Sequence, residues 1–119
     1  MSEPVVIRLP WPAKALHSNA RPHWAEKSRA TSAARKAAWA AAMQAKVGRW
    51  PTARINVEYY PPTWRGDAQN VPASLKAYID GIADAMRCDD RGFEVEYPRQ
   101  FAGTKLGGEV VFRRWEGEA

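Results

Sequence analysis

Apolar and polar positions alternate at the start of the chain. In "PVVIRLPWP", Val5, Ile7 and Leu9 fall on one side and Val6 and Arg8 on the other, a period of two that predicts a strand. Pro10 and Pro12 cannot donate to a sheet ladder, so the strand ends near Pro10. "AKALHSNARPH" has no hydrophobic period and is rich in turn formers, which predicts a loop. "WAEKSRATSAARKAAWAAAMQAK" is dominated by alanine and other strong helix formers and is terminated by Gly48 and Pro51, giving a first helix. "ARINVEYY" returns to period two, with Ile55, Val57 and Tyr59 set against Asn56, Glu58 and Tyr60, until Pro61 and Pro62 stop it. From Pro72, tolerated in a first helical turn, Leu75, Tyr78, Ile79, Ile82, Ala83 and Met86 recur at helical spacing. "FEVEYPRQF" and, beyond Gly107 and Gly108, "EVVFRRW" supply two further strands.

The order β-α-β-α-β-β predicts an α/β (α+β) fold: one small domain over residues 1–119, a mixed four-stranded sheet and two main helices. The last two strands are expected as a hairpin that adds an antiparallel edge. The alanine face of the first helix permits close approach of another backbone, and the sheet is the expected neighbour. At 119 residues there is room for a single core. The longest apolar run, Ala37 to Met43, falls far short of the roughly 20 residues that cross a bilayer, and no signal-peptide pattern opens the chain. With Cys88 as the lone cysteine there is no internal disulfide and no thiolate pair for zinc. The expectation is a soluble, cytoplasmic protein without a membrane partner.

Charge changes the picture. Residues 1–66 hold eleven Lys/Arg against three Glu, a net +8, whereas residues 67–119 hold seven against ten acids, a net −3. A basic half suits a polyanion. All five Asp residues (Asp67, Asp80, Asp84, Asp89, Asp90) nevertheless fall in one 24-residue window. Carboxylates repel phosphate unless a cation lies between them, so the window suggests a bound metal.

Within "WRGDAQNVPASLKAYIDG", Asp67 stands where a loop enters a helix. Unpaired N–H groups and the helix dipole keep a carboxylate ionised there and also welcome phosphate. Asp67 therefore suits either a cap or turn or a Mg²⁺ site, since that ion takes one or two carboxylates with water and substrate phosphate completing its octahedron. In the second case Asp89 or Asp90 is the partner.

"LPWPAKALHSNARPHWAEKSRA", "WRGDAQNVPASLKAYIDGIADA" and the following "CDD" together resemble the three blocks of RusA-like Holliday junction resolvases, in the branch common among phages and prophages. The resemblance covers nearly the whole chain. It implies a small α/β homodimer in a bacterial or phage-infected cell, Mg²⁺-dependent (or Mn²⁺-dependent) cleavage of four-way DNA junctions in recombination and repair, and nicks bearing a 5′ phosphate. The catalytic set it implies falls on Asp67, Gln69, Lys76 and Asp90, with Asp67, Asp90 and Asp89 as metal ligands. Gln69 departs from the pattern, which expects Asp. An amide oxygen can position water but brings no charge to offset Mg²⁺ and is no strong base. Weakened cleavage, or a non-catalytic branched-DNA-binding protein on the resolvase fold, are the alternatives this position opens.

A straight helix from Pro72 to Met86 would be roughly 22 Å long, which places Asp90 beyond the far end from Asp67 unless the chain folds back. Asp80 and Asp84 are the fallback ligands; with Lys76 they lie at i, i+4, i+8 opposite the apolar stripe, as a solvated face also would. Lys14, Arg21, Lys27, Arg29, Arg35 and Lys36 crowd the first loop and helix, and Arg65 stands beside the Asp67 motif; they either grip phosphates or form a solvated basic face. Trp64, next to Arg65, is the tryptophan best placed to wedge at an opened junction. His17 and His23 lack metal-ligand spacing or a nearby nucleophile and are assigned no catalysis; His23 with Trp24 is expected to anchor the loop.

Overall fold

A computed structural model of the chain describes residues 3–17, 23–49, 52–64, 68–101 and 105–116. Strand β1 (Val5–Pro10) leads through a 3₁₀ turn (Lys14–Leu16) to α1 (Trp24–Gln44) and β2 (Ala53–Tyr60). A second 3₁₀ turn (Ala68–Asn70) runs into α2 (Val71–Ser74) and α3 (Lys76–Met86), and a third (Asp90–Gly92) precedes β3 (Phe93–Glu96) and β4 (Glu109–Glu116). The expected mixed four-stranded α/β architecture is what forms, with the second helix in two pieces.

The sheet order is β1-β4-β2-β3. The expected hairpin of the last two strands does not form. Instead β4 lies inside the sheet, antiparallel to β1 (Ile7 opposite Phe112) and to β2 (Val57 opposite Phe112). β3 is the edge and runs parallel to β2, with Ala53 opposite Phe93. The reason lies in composition. Val110, Val111 and Phe112 are consecutive and fully buried, as an interior strand covered on both faces allows, whereas "FEVE" alternates half-buried Phe93 and Val95 with exposed glutamates, which suits a short charged edge. A helix between β2 and β3 is also the connection that parallel strands require.

One sheet face is apolar. Ile7 and Leu9 on β1, and Ala53, Ile55, Val57 and Tyr59 on β2, are buried. Ion pairs and hydrogen bonds link side chains between them, with Arg8 to Glu109 (2.9 Å), Arg113 to Glu58 (2.5 Å) and Asn56 to Glu96 (2.7 Å). Trp11, Tyr59 and Phe101 pack edge to face with ring centroids 5.8–6.0 Å apart.

Helix α3 is sandwiched. Ala77, Tyr78, Ile79, Gly81, Ile82, Ala83, Ala85 and Met86 are all buried. Tyr78 ties it to the sheet: its ring meets Phe112 at 6.1 Å and its hydroxyl donates to the Pro10 carbonyl at 2.8 Å. Gly81 faces α1, where a Cβ would sit 2.2 Å from the Arg35 carbonyl oxygen and 2.7 Å from the Ala38 Cβ. The alanine face of α1 thus serves close approach, but to α3 far more than to the sheet. Alanine on one helix and glycine on the other remove the side chains that ordinarily hold helix axes about 8–10 Å apart.

The helix expected from Pro72 to Met86 breaks at Leu75. Ser74 donates its hydroxyl to the Val71 carbonyl at 2.6 Å, and the Leu75 N–H reaches Pro72 at 3.1 Å, an i to i−3 bond that tightens the turn. The far end of α3 is closed by Arg87 in the left-handed region (φ 55°, ψ 46°), with Arg87 N–H bonded to the Asp84 carbonyl and Cys88 N–H to that of Ala83. This is the Schellman pattern, built here without glycine. It reverses the chain.

Candidate functional site

That reversal decides the geometry of the acids. Lys76 is the first residue of α3 and Asp80 lies one turn on, so an ion pair at i, i+4 follows from helical spacing, with Nζ to Oδ1 2.9 Å. Asp90 opens the 3₁₀ turn after the Arg87 reversal, and the same Nζ donates to its Oδ2. Asp90 therefore returns to the Lys76 side chain, while Asp67, the other end of the gap a straight helix would impose, lies outside the described residues. One ammonium stands between two carboxylates, a cluster of net charge −1. The Asp80 and Asp90 side chains are 26% and 30% exposed, so both are partly shielded yet reachable from solvent. The bonds to Asp90 first and Asp80 second push the Lys76 ammonium above its ordinary range, so it is charged at any physiological pH.

Asp89 does something different. Its Oδ1 accepts from the Arg91 N–H at 3.0 Å and caps the 3₁₀ turn, while Oδ2 meets Arg91 Nε at 3.1 Å. The Arg91 N–H is the main reason its carboxyl is held below the usual range. Of the adjacent pair, Asp90 faces Lys76 and Asp89 holds the turn that presents it.

Asp84 is tied to α1: Arg35 Nε and a terminal nitrogen reach its two oxygens at 2.6 and 2.8 Å, a bidentate pair. The hydrogen bond from Arg35 depresses the Asp84 carboxyl. The pair with Asp84 raises the guanidinium, and Asp80 and Asp90 add to this at longer range, so the charges form one strip along α3. Arg35, expected among the phosphate-gripping residues, thus joins the two helices. Neither this pair nor the part of Asp80 in holding Lys76 was singled out from the sequence, although the i, i+4, i+8 spacing of Lys76, Asp80 and Asp84 was its visible signal.

Gln69 is exposed in the 3₁₀ turn Ala68–Asn70 that leads into α2. Asp67, Arg65 and Arg21 lie outside the described residues. Lys27, Arg29 and Lys36 are exposed on α1, Lys14 is exposed in the first 3₁₀ turn, which packs against α1, and Trp64 is 61% exposed. His23 caps α1, its Nδ1 accepting from the Ala25 N–H at 3.2 Å, but Trp24 is 76% exposed and so is no buried anchor. His17 bonds the Pro12 carbonyl at 3.1 Å. Tyr97, just past β3, feels the charge of Lys76; burial nonetheless pushes its phenol up, so it remains a hydrogen-bond donor.

Among the described residues no three His, Cys, Asp or Glu side chains converge as a metal cage. The two carboxylates of the cluster, Asp80 and Asp90, are directed at the Lys76 ammonium; carboxylate oxygens such as that of Asp90 are the hard donors that Mg²⁺ or Mn²⁺ takes. No described helix is long and apolar enough to cross a membrane.

No family model matches the chain. It is 40% identical over 114 residues to an uncharacterized protein from Xylella fastidiosa, across 88% of this chain and 72% of that protein.

Proposed function

The chain belongs to the same family as the uncharacterized Xylella fastidiosa protein, and we propose that it is a Mg²⁺-dependent, structure-specific endodeoxyribonuclease of the RusA-like type that resolves four-way DNA junctions. The observation that carries this reading is the return of Asp90 to Lys76. The resemblance requires a motif lysine and an aspartate of the later pair to act at one place, and residues fourteen apart in sequence, on either side of a chain reversal, share one ion pair.

In this reading Asp67 and Asp90 would hold the ion, and Asp89, bonded to Arg91, holds the turn that presents Asp90. When bound, Mg²⁺ would supply Lewis acidity toward the scissile phosphate and the attacking water. The protein's own groups set the rest. Asp80 orients Lys76 so that its ammonium lies next to Asp90, where it stabilises charge on a phosphate in the in-line transition state. Asp89 and Arg91 stiffen the turn that carries Asp90. Lys14, Lys27, Arg29 and Lys36, with Arg21 and Arg65, neutralise flanking phosphates, and Trp64 wedges at the branch point. A cytoplasmic homodimer sets two such centres against the two symmetric strands of a junction.

Incubation of a labelled four-way junction with the protein and Mg²⁺ tests the proposal. Paired nicks across the branch point support it; an intact junction that is not even shifted in a gel refutes it. Gln69 favours a second reading, a branched-DNA-binding protein without cleavage, because an amide stands where a second acidic ligand is expected. A shifted but uncut junction, unchanged by Gln69→Asp, would select that reading.

A further inference from the structure

In the N-terminal half of α1, Ala25 and Ala30 are half-buried and the other residues as far as Ala33 are exposed. The 21 residues of α1 span about 31 Å and the 11 of α3 about 16 Å, and no residue from Trp24 to Ala33 is buried. Isolated helices of that length are marginal in water, so such a segment is a natural place for an external partner. At its tip Trp24 is the most exposed large apolar side chain among the described residues, 76% open to solvent. His23 lies against it, ring centroids 5.6 Å apart and 33° from coplanar. Because His23 Nδ1 accepts from Ala25, the neutral ring carries its proton on Nε2. Lys27, one turn on at i+3, is exposed on the neighbouring side of the helix, and Glu26 is the sole acid in this half. A flat, open indole with a cation and an N–H donor beside it is complementary to a base attached to phosphate.

We infer that the first turn of α1 is a second nucleic-acid contact, in which Trp24 stacks on an unpaired base while Lys27 and the His23 Nε2–H meet the adjoining phosphate. This rests on the nucleic-acid reading proposed above and adds a surface on a different element from the Asp67 loop and Trp64. Stacking demands a base that is free of its duplex, so the contact distinguishes opened or single-stranded DNA from paired DNA.

Fluorescence anisotropy of the full chain with a labelled four-way junction, a labelled single strand and a fully paired duplex, without divalent metal, tests it. Trp24→Ala should weaken single-strand and junction binding by about 5- to 100-fold, leave duplex binding nearly unchanged, and keep the slope of affinity against salt, since stacking releases no counterions. Trp24→Phe should restore most of the loss, and Lys27→Gln should lower the salt slope. Because Trp24 is exposed, unchanged far-ultraviolet circular dichroism is expected in each variant. Trp24→Ala binding all three probes like wild type overturns the inference while leaving the proposed function standing. Trp24→Ala converting a dimer to a monomer in sedimentation, with DNA binding per monomer intact, also overturns it and assigns the surface to a second copy. Failure of the wild type to bind any probe sinks both.

Discussion

Replacing Gly81 with alanine sets two effects of opposite sign against each other. In a helix interior alanine is favoured over glycine by about 1 kcal/mol, so on propensity alone Gly81→Ala stabilises. The added Cβ, however, would lie 2.2 Å from the Arg35 carbonyl oxygen and 2.7 Å from the Ala38 Cβ, and 3.0 Å from the Trp39 nitrogen. The first and third of these are backbone atoms of α1, so no rotamer change relieves them. The helices must separate by about 1 Å to restore ordinary contact, which opens the packing around Ala38 and Ala42 and stretches the Arg35–Asp84 pair. Overpacking of this kind costs about 1–3 kcal/mol, and more where backbone blocks relaxation. We predict a net destabilisation of about 1–3 kcal/mol, or roughly 3–10 °C in melting temperature for a chain of this size. Chemical denaturation of wild type and variant, with midpoint and slope both fitted, measures it. A Gly81→Ala protein as stable as wild type or more so would refute the close helix crossing.

Three further outcomes follow from particular contacts. Arg87 adopts a left-handed conformation that costs a non-glycine residue about 1 kcal/mol, so Arg87→Gly should be neutral to slightly stabilising, whereas Arg87→Val should lose about 1–2 kcal/mol and with it the reversal that brings Asp90 back; denaturation midpoints and junction cleavage together check this. Arg35 and Arg113 hold Asp84 and Glu58 below their ordinary carboxylate range, so the stability these pairs lend is fully present above the ordinary values near 4 and is lost as pH falls through the lower folded-state values; Arg35→Gln should flatten the fall in stability measured between pH 5 and pH 2. Gln69→Asp, by adding a carboxylate to the motif, should raise the cleavage rate and lower the Mg²⁺ concentration needed for half-maximal rate, as a metal titration of junction nicking would show.

Sequence period reached some of this molecule and contact chemistry reached the rest. β1, β2 and the buried stripe of α3 each declare themselves by local spacing, because one face of each meets the core. The pairing of β4 is not local: it depends on which of several apolar segments tolerates cover on both faces, and the consecutive Val110, Val111 and Phe112 carried that information while the glycines before them suggested a hairpin. The break at Leu75 turns on a single hydroxyl, that of Ser74, bonding backward. The reversal at Arg87 leaves no local mark in the sequence, because glycine, the residue that ordinarily takes a left-handed cap, is absent there. For the site, the residue types and their order pointed to Lys76 and Asp90, and the cap at Arg87 is what brings Asp90 back to Lys76. Charge pattern alone could not separate Arg35, which spans two helices, from the exposed Lys27, Arg29 and Lys36.

The most direct test of the central claim compares two aspartates on the same strip. Nicking of a labelled four-way junction at saturating Mg²⁺ should fall by at least about 100-fold in Asp90→Asn, a loss typical of removing a group that acts in the transition state, and should persist in Asp84→Asn, whose carboxylate serves the α1–α3 contact. Both variants should keep the wild-type fold, since each removes only a solvent-reachable ion pair. Equal nicking by Asp90→Asn and wild type would contradict a nuclease centre at Lys76 and Asp90.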